Sequence, residues 1–269
     1  MAYKNILVLL DSSKYSTARL VLAINFACRH QAHLTGLYVI SHPHYKSGLA
    51  NAEQRTAAVQ LEFERETGQA GIEAEWRCVE WGVTGVSVTE IVTMHAYCKD
   101  LVIVGQTEHG ADFDNIPADL PERVALGAGR PVLIIPYAGD FSKVGERVLL
   151  AWRAGRESAR ALSDAMPVLE SAGQVGVIEV DHTVGNIVHE LVEADLKANL
   201  SRHGITHTST KVTAGTIPTG DILLNHAWEG GYNLLVMGAY TRTSRGVFIL
   251  GDVAKHILMH MTVPVLISH

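Results

Sequence analysis

Short, unbroken apolar runs recur along the chain, separated by stretches with the apolar spacing of amphipathic helices. ILVLL (6–10) is too short for a helix and suits a strand buried on both faces. Asp11, Ser12 and Ser13 then supply capping residues for a helix running to about His30. HLTGLYVI (33–40) reads as a second strand, 51–67 as an amphipathic helix, and IEAEWRCVE (72–80) alternates as a third strand. A helix near 86–98, LVIVG (101–105), a helix near 119–127 and the closing PVLIIP (131–136) complete the series. Strand and helix alternate throughout. That pattern predicts an α/β fold, a doubly wound, five-stranded, mostly parallel sheet with helices on both faces. Ligands in such sheets sit at the carboxyl ends of the strands, where strand order switches. The loops after the first and fourth strands are the places to look.

The pattern then repeats. ILVLLDSSKYSTARL (6–20) aligns without a gap on VLLAWRAGRESARAL (148–162), matching Ser16 to Ser158 and Leu20 to Leu162. Residues 100–136 align in the same way on 233–269, from Gly105 and Gly238 to the two closing PVLI segments. Two blocks in the same order mean a duplicated domain, and the period is too long for a solenoid. We expect one domain over 1–137, a linker over 138–146 and a second domain over 147–269.

Composition narrows the classes. The chain has 269 residues, 47% hydrophobic and 19% charged, with net charge −6. Such a balance suits a globular protein with ample core. It lacks the basic excess that nucleic acid or an anionic membrane surface requires. No apolar stretch approaches a membrane span, and MAYKNILVLLDSS reads as a first strand, not a secretion signal. Cys28, Cys78 and Cys98 are far apart, without a CxxC, which fits a reducing cytoplasm and buried thiols. Cys28 and Cys98 are expected on apolar helix faces, in the core.

The opening ILVLLDSSKYSTARL, the VIVG and LVMG strands and the repeated PVLI endings resemble the universal stress protein family, in its tandem form. The resemblance implies a member of a family divided into adenine-nucleotide binders and members that bind none. In the binders, Gly-x2-Gly-x9-Gly-[Ser/Thr] cradles the phosphates, and an Asp ending the first strand contacts the nucleoside. Glycines of this kind let backbone N–H groups close on phosphate oxygens at a helix N-terminus. In the second half Gly238 and Gly251 match, Thr241 replaces the second glycine, Asp252 the hydroxyl residue, and Arg153 the Asp. Arg242, Ser244 and Arg245 lie between, as a phosphate clamp or as a solvated loop. In the first half Asp11 and Gly105 match, while Glu108, Ala118 and Asp119 break the motif and Asp112 and Asp114 make the loop acidic. The implied ligand is ATP or another adenine nucleotide in the second domain, with Mg²⁺ bridging at Asp252. Resemblance also implies pairing of the last strands of the two domains and a further homodimer.

Each motif has a plainer reading beside it. The 238–252 loop serves as a turn in which Asp252 caps or opens the last helix. Asp11 serves as a helix cap. The fourteen histidines, with His42 and His44 in one loop and His256 and His260 four apart, form pairs without the three or four convergent ligands of zinc. No catalytic constellation emerges. The reading is a non-enzymatic stress-response protein that senses an adenine nucleotide. Its alternatives are a scaffold acting through an unknown protein partner and, less favoured, a metal-dependent hydrolase.

Overall fold

The computed structural model describes residues 2–41, 49–81, 86–107, 116–139, 141–181, 187–242 and 248–269. Two compact units form, Ala2–Ser142 and Lys143–His269. In the first, apolar runs and amphipathic stretches become β1 (Asn5–Leu10), α1 (Ser16–His30), β2 (His33–Ser41), α2 (Leu49–Ala70) and β3 (Ala74–Trp81). They continue as α3 (Val88–Ala96), β4 (Leu101–Gly105), α4 (Leu120–Gly127) and β5 (Val132–Ile135). The strand order is β3-β2-β1-β4-β5, and every neighbouring pair is parallel. Ile6, Leu7 and Val8 of β1 are fully buried, as are Val102, Ile103 and Val104 of β4. That burial explains why these strands are unbroken apolar runs rather than alternating ones.

The chain moves from β1 outward to β3, then returns to β4 and β5 on the other side. Right-handed crossovers in opposite directions place α1 and α2 on one face and α3 and α4 on the other. In keeping with this, α1 packs on α2 and α3 packs on α4. The order reverses between β1 and β4, so a crevice opens at their carboxyl ends.

The second unit repeats the plan with β6 (Arg147–Trp152), α5 (Arg156–Ser171), β7 (Gln174–Asp181), α6 (Ile187–Arg202), β8 (His207–Thr213) and α7 (Thr219–Glu229). There follow β9 (Leu234–Gly238), β10 (Tyr240–Arg242), β11 (Phe248–Leu250), α8 (Asp252–His260) and β12 (Val265–Ser268). Its parallel strands run β8-β7-β6-β9-β12. The hairpin of β10 and β11 is an addition the pattern did not announce. It pairs Tyr240 with Leu250, Thr241 with Ile249 and Arg242 with Phe248. All but Arg242 are apolar, aromatic or β-branched residues of the kind strands favour.

Two local expectations are corrected. Helix α1 begins at Ser16, with Tyr15 at its N-cap and no side-chain cap bond, and Asp11 accepts the Ser13 N–H in the turn before the helix. Cys28 and Cys98 are exposed rather than buried. Cys28 lies at the edge of the apolar face of α1, next to exposed Arg29, and Cys98 lies beyond the end of α3.

Helix α1 ends on Gln31 in the left-handed region, at φ 51° and ψ 51°, where its N–H bonds the carbonyls of Ala27 and Cys28. That conformation costs a non-glycine residue about 1–2 kcal/mol. Gln31→Gly is therefore expected to raise stability by up to about 1 kcal/mol after glycine's entropy cost. Urea denaturation checks this through a higher midpoint at unchanged slope.

Candidate functional site

Each unit has a pocket at its own switch point, and the two differ about tenfold in size. The first holds about 50 Å³ and is lined by Leu9, Asp11, Arg19, Gly105, Gln106 and Leu120, among others. The second holds about 530 Å³, with a floor of Ala151, Ile178, Val180, Leu223 and Met237. Its rim brings Arg153, Gly155, Glu157, Thr219, Gly251 and Asp252 together. Small-molecule sites usually measure about 300–1,000 Å³, so only the second has the room.

The gapless repeat accounts for part of the difference. Among residues that line the pockets, Leu9 corresponds to Ala151, Gln106 to Ala239 and Leu120 to Val253, and at all three the second unit has the smaller side chain. Arg19 lines the first pocket, whereas its counterpart Ala161 is buried outside the second. The Arg19 side chain is 5% exposed and ion-paired to Asp11, itself 7% exposed. Asp11 also accepts the Ser13 N–H at 2.9 Å. Burial raises the Asp11 pKa, but the Arg19 charge and the Ser13 hydrogen bonds outweigh it and hold the carboxyl below its usual range. Gly105 completes the arrangement, because a Cβ there would overlap the Arg19 guanidinium. Sequence reading missed Arg19. The signal was present as a buried-face arginine opposite an alanine in the repeat.

The turn after the first strand is common to both units. Ser16 Oγ accepts the Asp11 N–H at 3.2 Å, and Ser158 Oγ accepts the Arg153 N–H at 3.4 Å. Beyond it the second unit departs. Arg153 is exposed at the rim. Helices α5, α7 and α8 all start at this pocket, through Gly155, Thr219 and Gly251. In α8 the first ladder bond runs from the Lys255 N–H to the Gly251 carbonyl. The N–H groups of Asp252, Val253 and Ala254 therefore lack intrahelical acceptors, and they carry the positive end of the helix dipole. Asp252 is the first residue of α8, with Gly251 at the N-cap.

The glycines of the nucleotide-like spacing have structural roles here. At Gly238 a Cβ would come within 2.5 Å of the Glu157 carbonyl carbon, so this glycine admits the start of α5. The Gly251 N–H bonds the Ala239 carbonyl at 2.9 Å, closing the base of the hairpin, and Gly251 has φ −66°. Among the described residues Gln31 is the one non-glycine with positive φ, so Thr241 does not take up a glycine conformation. Ala118 and Asp119 precede α4, where Asp119 takes the N-cap position without a side-chain cap bond and pairs with Arg123 at 3.8 Å. Glu108, Asp112, Asp114, Ser244, Arg245, His42 and His44 lie outside the described residues. Asp11 and Gly105 face the first pocket and Arg153, Gly238, Gly251 and Asp252 the second.

Among the described residues no group of three or more His, Cys, Asp or Glu side chains could hold a metal ion. His256 Nε2 lies 2.6 Å from Asp221 Oδ1, linking α8 to α7, and its ring is 4.6 Å from that of His260. No helix of the described residues is long and apolar enough to cross a membrane.

A doubly wound α/β domain with a crevice at its switch point, present twice, defines the class as a tandem of doubly wound α/β domains. The sequence profile of the universal stress protein family matches residues 2–136 and 145–269, and the chain belongs to that family. A universal stress protein from Archaeoglobus fulgidus DSM 4304 is 20% identical over 98% of this chain and 97% of its own, with TM-score 0.76. A putative universal stress protein from Pseudomonas aeruginosa UCBPP-PA14 is 17% identical over 99% and 93%, with TM-score 0.68. A universal stress protein solved in complex with cAMP matches 51% of this chain and 100% of its own at 20% identity, with TM-score 0.38. A comparison with curated proteins returned no match.

Removing one partner of a buried ion pair strands the other charge, at a cost of about 3–5 kcal/mol. Arg19→Met and Asp11→Asn are each expected to destabilise by that order, whereas Asp11→Leu combined with Arg19→Met costs less than either alone. A depressed Asp pKa adds stability that is complete above the unfolded value near 4 and is lost as pH falls through the folded value. Asp11→Asn therefore flattens the acid limb of stability against pH. Urea titrations between about pH 3 and 7 read both effects.

Proposed function

We propose that the second domain binds an adenine nucleotide and that the chain acts as a nucleotide-responsive stress protein, not as an enzyme. The observation that carries this reading is the 530 Å³ pocket at the ends of β6 and β9, ringed by the starts of three helices. Its apolar floor, from Ala151 to Met237, suits a base. The N–H groups in the first turn of α8, which lack intrahelical acceptors, suit a phosphate. Among the described residues Glu157 and Asp252 put two carboxylates on the rim beside one arginine, Arg153. A free polyphosphate is repelled there, and a Mg²⁺-bound one is not.

A second reading has its own support. The hairpin takes up the Gly251 N–H and the backbone of Tyr240 and Thr241, groups a phosphate loop would turn to its ligand. In that reading the domain is a scaffold acting through a protein partner.

Calorimetric titration separates the two. The nucleotide reading expects one equivalent of ATP per chain, with higher affinity in Mg²⁺. Ala151→Leu restores the side chain that the first unit carries at this position, fills the floor, and should weaken binding about tenfold or more, equal to about 1.4 kcal/mol. Absence of binding heat with and without Mg²⁺ would favour the scaffold.

A further inference from the structure

We propose that the first domain holds an internally occupied cation site, in which the Arg19 guanidinium is a tethered ligand of Asp11. Three features of the site meet here. The guanidinium is buried and ion-paired to a carboxylate that is itself buried and fixed by the Ser13 N–H. The wall opposite is Gly105, whose missing Cβ leaves room for that flat group. Only about 50 Å³ remains beside it, in a pocket that Arg19, Asp11 and Gly105 themselves line.

Arg19 Nε is buried and has no hydrogen-bond partner among the described residues. The side chain is therefore held by its charge pair and the shape of the slot, not by a full set of hydrogen bonds. A free ion of the same shape and charge would meet the same two features. Asp11 supplies the charge, and the gap at Gly105 selects a planar group over a tetrahedral one. The ligand class is a small guanidinium or amidinium ion. In the native chain Arg19 excludes it, because a tethered group competes at a high effective concentration.

The test is chemical rescue of the full chain carrying Arg19→Ala. Its thermal midpoint is read against ethylguanidinium up to about 20 mM, far below denaturing concentrations, with tetramethylammonium at matched ionic strength as the control. The variant should melt below the wild type and recover saturably with ethylguanidinium alone, while the wild type shows no such shift. Adding Asp11→Asn to the variant should abolish the recovery. If Arg19→Ala does not yield folded protein, Arg19→Met retains most of the stem's bulk, leaves the charged end open, and is probed with guanidinium itself. Equal shifts with both cations, a shift in the wild type matching the variant's, or recovery that persists with Asp11→Asn would overturn the proposal.

Discussion

A charge buried in a protein must be paired, and that constraint divides the labour of this chain. Asp11 ends the first strand where the crevice of a doubly wound sheet opens, and there it is 7% exposed. Arg19, in the first turn of α1, answers it and lines the crevice in doing so. The second unit removes both charges from that geometry together. Ala161 replaces the arginine and Arg153, exposed at the rim, replaces the aspartate. Either replacement alone would strand a buried charge. Made together they strand none, and the second unit's pocket lies beside Arg153, Ala151 and Ala239. The two halves thus keep one fold with opposite interiors at the site, one closed by an ion pair and one open.

Glycine roles follow the same logic. Gly105 and Gly238 occupy matching positions at the ends of β4 and β9, and both are forced by close approach. The approaching groups differ. In the first unit it is the guanidinium of Arg19, and in the second it is the backbone of Glu157 at the start of α5. A glycine at one position of a repeat can thus be retained for two reasons, neither of them a phosphate. Phosphate affinity, in the reading proposed here, comes from the N-terminal turn of α8.

Much of the fold was legible because its strands are buried on both faces. Runs such as ILVLL and LVIVG have no other home in an α/β chain, and the repeat doubled the signal. The hairpin of Tyr240–Arg242 with Phe248–Leu250 was not legible, since its short segments sit inside a motif whose glycine spacing suggested a loop. The site was legible in place but not in state. The loops after the first and fourth strands do line the pockets, yet Arg19, which pairs with Asp11 in the first, lies within a helix rather than in a motif. Cys28 misled for a related reason, because helical spacing locates a face but not its edge.

The most direct measurement is photoaffinity labelling of the intact protein with Mg²⁺ and an azido-adenine nucleotide, followed by peptide mapping. Saturable labelling confined to peptides that line the second pocket, such as those containing Ala151, Met237 or Val253, is the predicted result. Labelling in peptides around Asp11 and Gly105, or none that unlabelled ATP displaces, would contradict the account.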